Sequence, residues 1–464
     1  MLTLTSFGGA GTVTGSKHLL EWDGRRLLVD CGLFQGPREL RERNWQGLPI
    51  PSSSIDAVVL THAHLDHSGY LPRLVRDGFA GPIYATPATI DVARLILLDS
   101  AHLQEKDAEF ANRHGFSRHK PALPLYTKAD AERALELFQP VPFHQRFDIG
   151  QLVSLYLRRA GHILGAATAE IHIGGRTIVF SGDLGRYDDP IMPDPEPVDV
   201  ADYLVVESTY GDRIHPPVDP TDALGDVIDR TIRRGGTVII PAFAVGRTQG
   251  LLYYLRNLEQ AGRLGLIPIF VDSPMATNAT DLVCRHLEDQ KLSAETWHQT
   301  CAIATYVRET EESKALSANP IPKVIISASG MATGGRVLHH IKAFGPDPRN
   351  TILFSGFQVP GTRGRALVDG ARQVKIHGQW IDIRAEIADL SSVSAHADAA
   401  QIRRWLSAFR APPRQTFIVH GEPSASAALR ERIEVELNWT CALPQIGEHF
   451  ELESAPAAIA TGSA

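Results

Sequence analysis

Cysteine is scarce in this chain: four residues in 464, Cys31, Cys284, Cys301 and Cys441, and no CxxC pair among them. Their scatter argues against a disulfide framework and reads as reduced, buried small residues in a cytoplasmic protein. Long hydrophobic runs are missing too. No stretch approaches the roughly 20 apolar residues that span a bilayer, so no membrane segment is expected. The start, Met1-Leu2-Thr3-Leu4-Thr5-Ser6-Phe7, lacks a basic region followed by an apolar core, so no signal peptide is expected. Basic charge is not in excess. With 46 Lys and Arg against 53 Asp and Glu, the net charge of −7 argues against a general nucleic-acid coat but leaves room for one local basic face. The glycine-rich stretch from Gly8 to Ser16 lacks both the dinucleotide spacing and the P-loop lysine, and no helix pattern follows it. It reads as a turn lining a site. No internal repeat is visible.

What the chain does hold is enough length for two to three domains of ordinary size, each with its own core. Residues 2–5, 17–22 and 26–30 read as strands, with Asp23-Gly24 as a tight hairpin between the last two. Residues 88–114 read as helix. Residues 151–157, 169–173 and 177–180 resume the strand pattern, and Gly174-Gly175 turns the last pair. The texture changes at a proline-rich linker, residues 215–220. Beyond it four continuous apolar runs, 237–241, 267–271, 323–327 and 351–354, alternate with helical segments, as the strands of a parallel α/β layer do. From 386 onward histidine-bearing loops return. The expected division is therefore a first domain of residues 1–210 and 386–464, interrupted by a second at 211–385, with 453–464 as a frayed tail.

The most informative segment is His62-Ala63-His64-Leu65-Asp66-His67, four candidate metal ligands directly after the apolar run 57–60. An apolar run of that kind is a buried strand, so Thr61 onward belongs to the loop at its C-terminal end. In extended chain His62 and His64 project to the same side and can reach one ion, whereas Asp66 and His67 lie where the chain turns into a helix at 68–75 and can serve a second. Three further candidates sit beside glycine at the ends of strands: His162 after 151–157, Asp183 after 177–180, and His420 after Phe417-Ile418. Each alone is more often a structural loop residue. Together they complete a dinuclear set: His62, His64 and His162 on one ion, Asp66, His67 and His420 on the other, and Asp183 bridging. Imidazole and carboxylate donors point to two zinc ions, with manganese as the alternative.

These motifs resemble the metallo-β-lactamase superfamily, whose signature is HxHxDH followed by a distant His, Asp and His. More closely, the chain resembles the β-CASP ribonucleases, relatives of the endonuclease subunit of the cleavage and polyadenylation specificity factor. Asp30 matches the family's first motif, a strand-end aspartate that supports the metal site; Glu207 matches motif A, His396 motif B and His420 motif C. The inserted domain falls between motifs A and B, and the segments around Pro241–Arg247 and Ser327–Gly335 are also similar to the family. The resemblance implies an α/β fold, a metallo-β-lactamase αββα sandwich with an inserted β-CASP α/β domain. With Met1 close to the first motif and a short segment after His420, the chain resembles the compact bacterial form, and neither an N-terminal module nor an extra C-terminal domain is expected. A histidine at motif C marks RNA-directed members of the family, whereas the DNA-directed branch usually carries valine.

The chemistry follows from what phosphodiester hydrolysis requires: a nucleophilic water, neutralised phosphate charge and a protonated leaving oxygen. Asp66 can orient or deprotonate the water. His396 is free of the metals and can donate the proton, and Glu207 can hold that imidazole protonated. Ser329, Gly330 and Met331 read as an anion nest. Arg247, Arg336, Arg363, Arg365, Arg372 and Lys375 offer backbone-contacting cations, though each is equally explained as solvated surface. The expected activity is a metal-dependent ribonuclease on single-stranded RNA, endo- or exonucleolytic, with homodimerisation left open. The alternatives are a small-molecule metallohydrolase of lactamase or glyoxalase type, a DNA-directed β-CASP nuclease, and a non-catalytic scaffold. The first needs no insertion between Asp183 and His420, and the last is disfavoured because every ligand position is filled.

Overall fold

Short strands with buried side chains on both faces can be stable only when covered on both sides, and the chain meets that demand twice. A computed structural model describes residues 1–452 apart from 116, 118, 151 and 152. Gln151 and Leu152, the start of one expected strand, and the expected tail 453–464 lie outside the described residues.

The first domain is a sandwich of two seven-stranded sheets. One runs in the order His449–Leu452, Leu2–Gly8, Lys17–Trp22, Arg25–Val29, Ala57–Val59, Ile83–Ala85 and Phe138–Pro140. The other runs Cys441–Ala442, Gln415–Val419, Tyr203–Glu207, Arg176–Phe180, Ala167–Ile173, Val153–Arg159 and Phe147–Asp148. Inner-face residues of both, among them Leu20, Val29, Val59, Ile171, Val205 and Phe417, form one core between the sheets. The helices Leu71–Arg76 and Pro87–His114 cover the outer face of the first sheet, and Ala399–Leu406 and Pro423–Leu437 cover that of the second. This is the αββα arrangement. Both expected hairpins are present: Trp22 pairs with Arg25 across Asp23-Gly24, and Ile173 with Arg176 across two glycines. The four turn residues all take positive φ, as this turn geometry demands.

The inserted domain is a six-stranded sheet in the order Thr305–Tyr306, Ile269–Val271, Val324–Ser327, Val238–Pro241, Thr351–Phe354 and Glu386–Asp389, parallel throughout. The expected boundary at 386 needs correction. Glu386–Asp389 pairs with Thr351–Phe354, and Leu390 and Val393 pack in the inserted domain's core, so the chain crosses back only after them. The two domains share a core where Val245, Leu282, Val283 and Trp297 pack with residues of Pro87–His114. Among the described residues no helix is long and apolar enough to cross a membrane.

Candidate metal centre and its cleft

Strand ends explain why such distant residues meet. Asp30, the segment from Thr61, His162, Asp183, Glu207 and His420 each sit at or just past the C-terminal end of a strand, along one edge of the sandwich. The His62–His67 segment leaves Ala57–Val59 as loop and then coils into the short helix Leu65–Ser68, before a second helix at Leu71–Arg76. Asp66 and His67 are thus on a helical turn that begins earlier than the single helix expected at 68–75. The loop after Val29 holds this turn by backbone: Cys31 N–H donates to His67 O and Leu33 N–H to Leu65 O, at 2.7 and 2.8 Å. Between them Gly32 lies so close that an added Cβ would meet the Asp66 carbonyl at 1.6 Å. The glycine-rich stretch does line the site, since Gly9 O accepts from His420 N–H and Ser16 N–H donates to Asp66 O.

Among the described residues four clusters of donor atoms are close enough to hold an ion: two contain the residues grouped from the sequence, and the others are Asp183 with Glu207 and His420, and His286 with Glu288 and Asp289. Ligand atoms of His62, His64, His162 and Asp183 lie within 4.8 Å of one another, as do those of Asp66, His67 and His420. Asp183 divides its carboxylate between them. Its Oδ2 lies 3.4 Å from His62 Nε2 and 3.6 Å from His162 Nε2, while its Oδ1 lies 3.2 Å from His67 Nε2 and 3.4 Å from His420 Nδ1. Facing nitrogens stand 3.2 Å apart in both groups, His64 Nδ1 with His162 Nε2 and His67 Nε2 with His420 Nε2. Two nitrogens at about 2.0–2.1 Å from one tetrahedral ion would be separated by about as much. His62 Nε2 and Asp183 Oδ1 are buried and lack any hydrogen-bond partner. Burial and the neighbouring His62 push His64 down to about 3, and burial lowers His62 and His162 as well, which leaves imidazole lone pairs free. For His67 burial is outweighed by Asp183 and Asp30, which raise its pKa; that position asks for positive charge. Unpartnered donors converging on one carboxylate suit divalent cations.

The supports are equally specific. Asp30 accepts from Thr61 N–H and Thr61 Oγ1, and its Oδ2 lies 2.7 Å from His67 Nδ1, which turns His67 Nε2 toward the centre. Asp30 and His420 both adopt positive φ, 59° and 48°, a strained setting for residues with side chains. Thr209 Oγ1 lies 3.1 Å from His420 Nδ1. His396 stands beside these donor clusters and in none of them: its Nδ1 is 3.2 Å from both oxygens of Glu207 and 4.0 Å from Asp183 Oδ2. Burial opposes protonation of His396, but Glu207, then Asp183, overcome it and raise its pKa. Glu207 is fixed in turn by Leu184 N–H and Thr209 N–H. His215 Nε2 reaches the His396 carbonyl at 2.9 Å.

Over this centre lies a cleft of about 150 Å³. Its floor is His64, Asp66, His162, Asp183, His396 and His420; Phe243, Met331, Phe357 and Val359 of the inserted domain form apolar walls. Arg247 also borders it, with a buried Nε that has no hydrogen-bond partner. Met331 reaches the cleft, but Ser329 Oγ is occupied by Thr333 N–H and Gly334 N–H of its own loop. Arg336 does not face the cleft. Its guanidinium is held by the buried Asp272 and by the carbonyls of Val307 and Arg308, because an uncompensated carboxylate at that strand end would be costly. Thr209, Phe243 and His215 are absent from the sequence-based candidates. Thr209 is two residues from Glu207 and could have been found there; His215 lies in the segment read as a mere linker.

Fold and site together define a metallo-β-lactamase enzyme with a domain inserted over its metal centre. Family sequence profiles agree: the metallo-beta-lactamase superfamily matches residues 15–228, the Beta-Casp domain 248–367, and the Zn-dependent metallo-hydrolase RNA specificity domain 380–444. The chain belongs to the β-CASP family of that superfamily. It is 37% identical to Ribonuclease TTHA0252 of Thermus thermophilus over 436 residues, covering 92% of this chain and 95% of that protein. It is 31% identical to transcription termination factor FttA of Methanosarcina mazei over 454 residues, covering 94% of this chain and 69% of that one. A solved protein of unknown function from Enterococcus faecalis shares the fold, with a TM-score of 0.53 at 13% identity, over 97% of this chain and 100% of its own.

Proposed function

We propose that this chain is a metal-dependent ribonuclease that hydrolyses single-stranded RNA in the cleft between its domains, with two ions, zinc or manganese, at the His/Asp centre. The observation that carries the reading is the pairing of His396 with Glu207 beside Asp183, at the floor of a cleft roofed by the inserted domain. His62, His64 and His162 would hold one ion, Asp66, His67 and His420 the other, with one Asp183 oxygen toward each. Bound there, two ions supply charge neutralisation for the phosphate and a water acidified toward neutral pH.

The remaining work falls to the chain's own groups. Asp66 borders the cleft as well as the second ligand group, where it can orient the attacking water. His396, kept protonated by Glu207, can give its proton to the leaving oxygen. Arg247 can meet a phosphate oxygen, since its buried Nε is otherwise unmatched. Met331 and Phe243 exclude water, and stacking of bases on Phe243 or Phe357 is open to a single strand. A relative named a ribonuclease, aligned over nearly the whole chain, supports RNA as the substrate, as does the match to an RNA specificity domain.

The test is direct. Purified protein loaded with zinc or manganese should cleave several unrelated single-stranded RNAs, and Asp66→Ala or His67→Ala should abolish this while the circular dichroism spectrum stays native. Loaded wild-type protein that leaves those RNAs intact but hydrolyses a lactam or a thioester would overturn the reading.

A further inference from the structure

A second concavity, about 630 Å³, opens at the seam between the domains. Gln35 borders both it and the cleft over the metal centre, and the segment Val359 to Thr362 runs from one to the other. Its lining carries Arg41 from the first domain and Arg363 and Lys375 from the second, and no carboxylate. In a protein of net charge −7 such a lining is unusual. The cations are not spent on acids elsewhere: among the described residues none of the three forms an ion pair, and Arg363 donates only to the carbonyls of Ala332, Thr333 and Lys375. Two guanidiniums from different domains therefore face one space without a counter-ion. A cavity bordered by His162 is of mixed character instead, with Asp188, Asp189 and Asp219 beside Arg186 and Arg247.

The hairpin Gln373–Ile376 and Gln379–Asp382 adds an aromatic surface. Lys375 is paired directly with Trp380, so both project to the same side, while Val374 and Ile376 turn inward. Trp380 is 66% exposed at the groove. An exposed indole beside unpaired cations is the combination that holds a single-stranded nucleic acid: stacking on the ring, phosphates on the cations.

We infer that this groove is a second RNA-binding site, in which Arg41, Arg363 and Lys375 take backbone phosphates and Trp380 stacks a base of the strand that extends beyond the cleft. The inference rests on the ribonuclease reading above and names how that substrate is held away from the metals. It is tested with Arg41→Glu and Trp380→Ala in the metal-loaded protein, on single-stranded RNAs of about 20 and about 4 nucleotides and on bis(p-nitrophenyl) phosphate. Each substitution should raise KM for the long RNA roughly five- to a hundred-fold, and Arg41→Glu should flatten its dependence on salt by about one ion. The short RNA and the small diester should keep their wild-type rates. Unchanged KM for the long RNA in both variants overturns the inference and leaves the ribonuclease reading standing. Equal losses on the long RNA and the small diester overturn it too, because the effect would then lie at the metal centre. Wild-type protein that hydrolyses the diester but cleaves no RNA defeats both.

Discussion

At the scale of single residues, the proposed chemistry turns on how His396 and its neighbours divide the work. His396 contacts Glu207 and approaches Asp183 but is in none of the donor clusters, so the role proposed for it is separable from metal binding. In His396→Ala the ions should remain at wild-type content by atomic emission, while turnover of RNA falls by about 10²- to 10⁴-fold, the usual contribution of a positioned acid. Loss of an ion in that variant would mean that His396 is a ligand. Individual residues also mark what a sequence can disclose. His62, His64, Asp66 and His67 are legible because four donors within six positions are informative before any folding is known. His162, Asp183 and His420 are legible as glycine-flanked strand ends. Asp30, Glu207 and His396 are meaningful only through family resemblance, since each takes its role from a partner on another loop: His67, His396 and Glu207 respectively. Arg336 misleads because nothing local reveals that a buried Asp272 claims it.

At the scale of elements, the site depends on loops that start where strands stop, and the same rule operates in the inserted domain. Asp272 follows the strand Ile269–Val271 and is fully buried. It ties three elements together by accepting from Ser313 Oγ and Arg336 Nη1 and by lying 2.7 Å from His340 Nε2. Burial raises its pKa, but these three contacts outweigh that and keep the carboxylate ionised. Asp272→Ala takes away the buried counter-charge of Arg336 and the partner of His340 Nε2 and should cost about 3–5 kcal/mol, read as a fall in the denaturant midpoint. A change of less than about 1 kcal/mol, the size of an exposed pair, would show that the network is not structural. The main parallel strands of this domain are legible as apolar runs, but the edge strands are not. Thr305–Tyr306 is two residues long, and Glu386–Asp389 mixes charged with apolar positions, so neither stands out before its pairing is known.

At the scale of the whole molecule, the inserted domain turns an open metal centre into a slot. Phe243, Met331 and Phe357 reach over ligands that sit on the other domain, so neither domain alone builds the cleft. Net charge hides this arrangement: the chain is acidic overall, yet the lining of one groove at the seam carries three cations and no acid. The central claim is that two ions, divided by Asp183, and the His396–Glu207 pair form one phosphodiesterase centre acting on RNA. The measurement that tests it most directly is titration of chelator-stripped protein with zinc or manganese while cleavage of end-labelled single-stranded RNA is followed. The account predicts no cleavage without metal and a rate that climbs to a plateau at about two ions per chain. Full cleavage in the stripped protein, or two ions bound tightly with the RNA left intact, would contradict it.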